Sequence, residues 1–202
     1  MRLIFQESVP TVYGSSFVDS VIDYSESLGI DPNWLMAVMY FETAGTFSAS
    51  IRNPYSDATG LIQFMPTTAI DLGTSIDELA LMSAEEQLYY VYSYYYPYRQ
   101  RIKSYVDLYL ATFFPVAIGK QDSYILQTKG ISASAIADVN PVFDLNNDRK
   151  ITVGEIKEVI TNKIPQSWRF YFDGDDSKKK SLMPKVIGIS LLGYLTYKII
   201  IQ

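Results

Sequence analysis

The chain has neither histidine nor cysteine in its 202 residues. Those two absences remove the serine–histidine–aspartate triad, the cysteine–histidine pair, the usual nitrogen- and sulfur-ligated zinc site and every disulfide. Acid or base catalysis would therefore fall to a carboxylate, with tyrosine and lysine behind it. Positive charge is also scarce: 17 Lys and Arg stand against 22 Asp and Glu, a net charge of -5. The chain as a whole has no electrostatic footprint for a polyanion, and nucleic acid is not an expected partner. Apolar and aromatic surface is what it has in quantity. Apolar residues make up 48%, and 17 residues are tyrosine, which supports one main domain with a sizeable core and argues against disorder.

Long hydrophobic runs are missing from most of the sequence. At the N-terminus, Leu3, Ile4 and Phe5 are followed at once by Gln6 and Glu7, too short an apolar stretch for a secretory signal. The C-terminus differs, since residues 182–201 read LMPKVIGISLLGYLTYKIII, close to the roughly 20 residues that span a bilayer core. Lys178, Lys179 and Lys180 precede it, a flank suited to the cytoplasmic side of a membrane or to anionic lipid. An amphipathic or buried helix docking on a protein partner fits the same residues.

Between the ends, helical periodicity prevails. Phe17, Val21, Tyr24, Ser25 and Leu28 share one face of a helix over 16–28. Asp31 before Pro32 reads as an N-cap with proline at the first helical position. Ser75 with Glu78 and Ser83 with Glu86 have capping-box spacing. A further helix is expected from about Ser104 to Phe114, ended by Pro115. No segment alternates with period two, so the chain is expected to be all-α, with any β-structure confined to a short hairpin in the loop 44–62.

Glu42 breaks the local rule. It follows Met39, Tyr40 and Phe41 near the C-terminal end of an apolar helix, where the helix dipole disfavours negative charge. A carboxyl group among aromatics loses solvation, its pKa rises, and it can stay protonated at neutral pH for use as a general acid. A solvated residue at a helix end is the plainer alternative. Downstream stand Gly60-Leu61-Ile62-Gln63-Phe64-Met65-Pro66-Thr67-Thr68-Ala69 and then Leu72-Gly73.

With Glu42-Thr43 ahead of it, this ordered combination resembles the lytic transglycosylase and goose-type lysozyme superfamily, closely over residues 34–73 and more loosely to about 118. The resemblance implies a lysozyme-like fold. It also implies that Glu42 protonates the glycosidic oxygen between N-acetylmuramic acid and N-acetylglucosamine, then acts as base while the muramyl 6-hydroxyl closes a 1,6-anhydro ring. One acid/base residue then suffices, without the second carboxylate of ordinary glycoside hydrolysis. Ser56 matches a family serine able to hydrogen-bond the catalytic carboxyl, and Gln63 a glutamine lining the cleft, where an amide can donate to and accept from sugar. Met65 and Pro66 read as packing and helix-start residues. Asp57 stands where many members have glycine. As a second carboxylate that activates water it would make the protein a hydrolytic lysozyme. The family segment Ala-Tyr-Asn-x-Gly is not recognisable, its nearest equivalent being Tyr109-Leu110-Ala111-Thr112-Phe113-Phe114-Pro115. The tyrosines from 89 to 98 suit sugar stacking and, more ordinarily, core and rim packing.

Asp144 to Glu155 reads DLNNDRKITVGE, with the oxygen spacing of an EF-hand calcium loop. Asp144, Asn146, Asp148, Thr152 and Glu155 would offer side chains and Lys150 its carbonyl. Arg149 at loop position six replaces the usual glycine and predicts a strained positive φ there. Hard oxygen ligands suit a chain without histidine or cysteine, and Ca2+ as a structural staple is the expectation. The expected organisation is a lysozyme-like domain at 1–130, an EF-hand-like segment at 131–165, a polar linker at 166–181 and a hydrophobic helix at 182–201. The expected partner is the peptidoglycan glycan strand. A phage virion enzyme delivered to the bacterial cell wall reconciles that substrate with the absent signal, its tail then meeting host membrane or other virion proteins. A bacterial membrane-associated enzyme and an inactive virion structural protein are the alternatives.

Overall fold

Proline and capping residues decide where most helices begin. The computed structural model describes residues 2–172, whose regular structure is α1 Ser16–Leu28, α2 Pro32–Glu42, α3 Pro66–Asp71, α4 Ile76–Leu81, α5 Ala84–Tyr95, α6 Tyr105–Phe113, α7 Ala133–Val139 and α8 Val153–Asn162. Short 3-10 turns join them, and β-structure among the described residues is limited to isolated bridges. Two of these, Arg52 with Thr59 and Thr59 with Phe64, fall in or beside the loop where a hairpin was expected; the third, Ile125 with Thr152, lies elsewhere. At α2 the Asp31 carboxylate accepts from the Asn33 amide at 2.9 Å, and Pro32 occupies the first turn, where a missing N–H costs nothing. Ser83 and Glu86 form a complete capping box on α5. On α4, Ser75 caps the Glu78 amide, but Glu78 turns back to the hydroxyls of Thr74 and Ser75.

α2 is the axis of the molecule. Every residue from 33 to 39 is buried, which is what a helix apolar on all sides requires. It packs on α1 and α6, α1 packs on α5, and α6 packs on α8. One continuous core carries Leu35 and Met39 of α2 together with Ile156 and Ile160 of α8, so the segments expected as 1–130 and 131–165 share a single interior.

Both ends of the described chain are tied to this core. Leu3 and Ile4 are fully buried, the Ile4 amide donates to the buried Asn33 side chain at 2.9 Å, and Phe5 stacks on Tyr40 at 3.8 Å. The expected polar linker, as far as it is described, docks too. Residues 166–171 form a 3-10 turn, the Trp34 indole donates to the Tyr171 carbonyl, and Phe172 packs edge-on against Tyr105. The hydrophobic segment 182–201 lies outside the described residues. Among those described, no helix is long and apolar enough to cross a membrane.

Candidate active site

α2 ends on Glu42, and its last carbonyls are spoken for. Thr43 donates its amide and its hydroxyl to the Met39 carbonyl, and Gly45 closes back on the Tyr40 carbonyl at 2.7 Å. The Thr43 hydroxyl also accepts from the Phe47 amide, turning the chain sharply through Ala44 and Phe47, both at positive φ. Glu42 is thereby fixed at the negative end of a buried helix. Its surroundings are aromatic: Phe41 meets Tyr109 edge-on at 5.2 Å, and Phe143 packs on Phe41, Tyr109 and Phe113.

Burial pushes the half-buried Glu42 carboxyl up to about 7, and a hydrogen bond from Tyr109 pulls the other way without cancelling it. A carboxylic acid that holds its proton near neutrality is the state a general acid needs. Four tyrosines form the nest. Burial first, and then the nearby Glu42 charge, raise the pKa values of Tyr105 and Tyr109; Tyr95 is raised by burial and less by Tyr94 and Glu42, against a lowering hydrogen bond with Thr112, and Tyr94 is raised by burial, by Tyr98 and by Glu42. All four therefore stay neutral across the range in which Glu42 titrates. Their hydroxyls are anchored locally, Tyr94 donating to the Ala111 carbonyl at 2.7 Å and Tyr95 pairing with Thr112 at 2.6 Å.

The other expected site residues lie on the loop between α2 and α3. Ser56 belongs to a turn built on Asn53, whose side chain accepts from the amides of Tyr55 and Ser56; the Ser56 hydroxyl accepts from the Ala58 amide at 3.4 Å. At Glu42 the hydrogen bond that lowers the carboxyl's pKa is with Tyr109. Asp57 is exposed at φ 59°, a left-handed corner that glycine fits best and aspartate tolerates better than most residues. That backbone need accounts for an aspartate at a position suited to glycine. Gln63 is also left-handed, at φ 52°. Its amide nitrogen braces the loop by donating to the Gly60 carbonyl at 3.1 Å and more weakly to Ile51. Met65, expected to pack, is 46% exposed as the residue before α3, while Pro66 opens that helix as expected.

The loop from Asp144 to Glu155 is organised by its own carboxylates. Asp144 accepts from the amides of Asp148 and Arg149, Asn146 from Asp148, and Asp148 from Lys150. Glu155 accepts from Leu145 at one oxygen and from Thr152 at the other, and Thr152 caps α8. Arg149 takes φ 60°, and its guanidinium reaches out to Asp138 of α7. Ile151, fully buried, accepts from the Leu126 amide at 2.8 Å, so a neighbouring segment of the chain pairs with the loop. Among the described residues no three acidic side chains gather as a metal cluster on their own. A cation here would need Asn146 and main-chain oxygen as well.

Phe143 carried no mark in the sequence as a site residue, and Tyr109 stood out only as the start of the segment nearest to the family's Ala-Tyr-Asn-x-Gly. The spacing of Tyr105 and Tyr109 on one helical face adds that they pack together but not on what. Compared with family models, curated proteins and solved structures, the chain has no match in any of the three.

Proposed function

We propose that the chain is a peptidoglycan-cleaving lytic transglycosylase of lysozyme-like fold, with Glu42 as its single general acid/base. The observation that carries this reading is the Glu42 carboxyl, held near 7 by burial in the tyrosine nest. Protonated Glu42 gives its proton to the glycosidic oxygen as the bond from the muramyl anomeric carbon breaks. The carboxylate left behind takes the proton of the muramyl 6-hydroxyl as that oxygen bonds to the anomeric carbon, which returns Glu42 to its starting state. No water enters the product. Gln63 and the tyrosine rim supply the amide and ring faces that sugars bind.

The same reading assigns the 144–155 loop to calcium in the EF-hand manner. Asp144, Asn146, Asp148, Thr152 and Glu155 would hold the ion with the Lys150 carbonyl. The fit rests on the ring of main-chain amides that already orients those oxygens, and on Arg149 directing its charge away to Asp138. Calcium would staple the loop and supply nothing to the bond cleavage. A virion enzyme carried to the cell wall remains the setting that fits this substrate.

Incubating purified peptidoglycan with wild type and Glu42→Gln, then resolving the released muropeptides by mass, tests the proposal. We expect anhydro products from wild type, reduced by 10² or more in the variant. Reducing ends would make the protein a lysozyme. No release by wild type with calcium present would end the enzyme reading in favour of an inactive scaffold.

A further inference from the structure

Gln87 is fully buried on α5, yet it is polar, and a buried amide is tolerated only when its hydrogen bonds are made. It makes three. Its oxygen accepts from the Leu61 amide at 2.6 Å, and its nitrogen donates to the carbonyls of Ala49 and Leu79, each at 2.9 Å. One side chain thus joins the first half of the α2–α3 loop, the second half of that loop and α4. Glycine at position 60 is part of the same device: a Cβ there would lie 2.3 Å from the Gln87 oxygen, so no larger residue lets the amide reach Leu61.

Two helical turns further along the same flank of α5, at i+7, stands Tyr94. Tyr94 meets Phe64 edge-on at 6.3 Å and lies close enough to Glu42 to feel its charge. Gln63 lies between these two attachments, with Leu61 gripped by Gln87 and Phe64 packed on Tyr94. The loop needs such restraint, because Asp57 and Gln63 are both left-handed without being glycine, a conformation that persists only when its surroundings over-determine it. We propose that Gln87 is a positioning residue that sets Gln63 in register with Glu42 and so fixes the glycan-binding face of the loop. This rests on the transglycosylase reading for its substrate, and on the hydrogen bonds alone for its mechanics.

Gln87→Met keeps the length and removes all three hydrogen bonds. Gln87→Glu keeps an acceptor for Leu61 and loses the donors, and it serves as the second variant if the first fails to fold. With soluble uncross-linked glycan strands as substrate, KM should rise tenfold or more in Gln87→Met and less in Gln87→Glu. The kcat and the alkaline limb of the pH profile should stay as in wild type, because burial and Tyr109 are what tune Glu42. An unchanged KM in a folded variant, or loss of kcat with KM intact, would overturn the proposal. Hydrogen exchange separates this from failure of the functional reading. Amides of Leu61, Gln63 and Phe64 should lose protection in the variants while those of α2 and α6 keep it, whether or not wild type cleaves glycan. Uniform loss across the molecule would mean a general packing role and would also refute the positioning claim.

Discussion

The surroundings of Glu42 and the loop 144–155 handle the same functional group in opposite ways. Around Glu42, burial among aromatic rings strips one carboxyl of solvent and leaves it a single tyrosine donor. In the loop, Asp144, Asp148 and Glu155 each accept main-chain amides, so their negative charge is met by dipoles and solvent. Around Glu42, desolvation without matching donors favours the neutral acid. One arrangement leaves a carboxyl short of partners, the other surrounds its carboxyl groups with them. Phe143 links the two, since it directly precedes Asp144 while its ring lies on Phe41, Tyr109 and Phe113.

The largest effect should come from cutting that link. Phe143 is 3% exposed, and removing a buried ring of this kind costs about 3–5 kcal/mol, measurable as a fall in the denaturant midpoint of Phe143→Ala. Water entering the space would also solvate Glu42, so the alkaline limb of activity should move to lower pH. A loss of stability with no movement of that limb would show that the ring supports the loop alone.

Next in size is a stabilisation. Glu42 binds its proton more tightly in the folded state than in the unfolded chain, where its pKa lies near 4.5. Wild type is therefore fully stable with respect to this group below about pH 4.5. It loses stability as the pH rises towards about 7, and the penalty is constant above that. Glu42→Gln never acquires the buried charge. It should match wild type near pH 4 and exceed it at pH 8 by on the order of 3 kcal/mol, at 1.36 kcal/mol per unit, read from paired denaturation curves. Equal stability at both pH values would mean that the carboxylate is well solvated and that the contrast between the two regions fails.

Much of this scaffold was legible in the sequence because the signals were local. Asp31 before Pro32, the Ser83–Glu86 pair and the positive φ at Arg149 all depend on residues within one turn, and each is found as expected. Glu42 could be picked out as misplaced because helix polarity is also local. What surrounds it was not legible. Tyr109 meets Glu42 only after α2 and α6 pack, and nothing in the intervening residues encodes that crossing. The burial of Leu3 and Ile4 was not legible either, since three apolar residues at a terminus look alike whether they cover a core or not. Phe172 joined the core from a stretch whose polar composition reads as linker.

The smallest effect sharpens the comparison on its other side. Glu155 serves α8 as the acidic half of a capping box and bridges to the Leu145 amide, so Glu155→Ala should cost about 1 kcal/mol in the presence of chelator. The sign is opposite to that of Glu42→Gln at pH 8, although both substitutions delete a glutamate. Calcium then adds a second contrast. Wild type should gain melting temperature on titration with calcium, as any ligand that binds only the folded state requires, and Glu155→Ala should gain little because it lacks the bidentate ligand. A wild-type melting temperature indifferent to calcium would leave the carboxylates of this loop as caps and turn-formers only. The contrast with Glu42 would then be one of solvation alone, not of two kinds of chemistry.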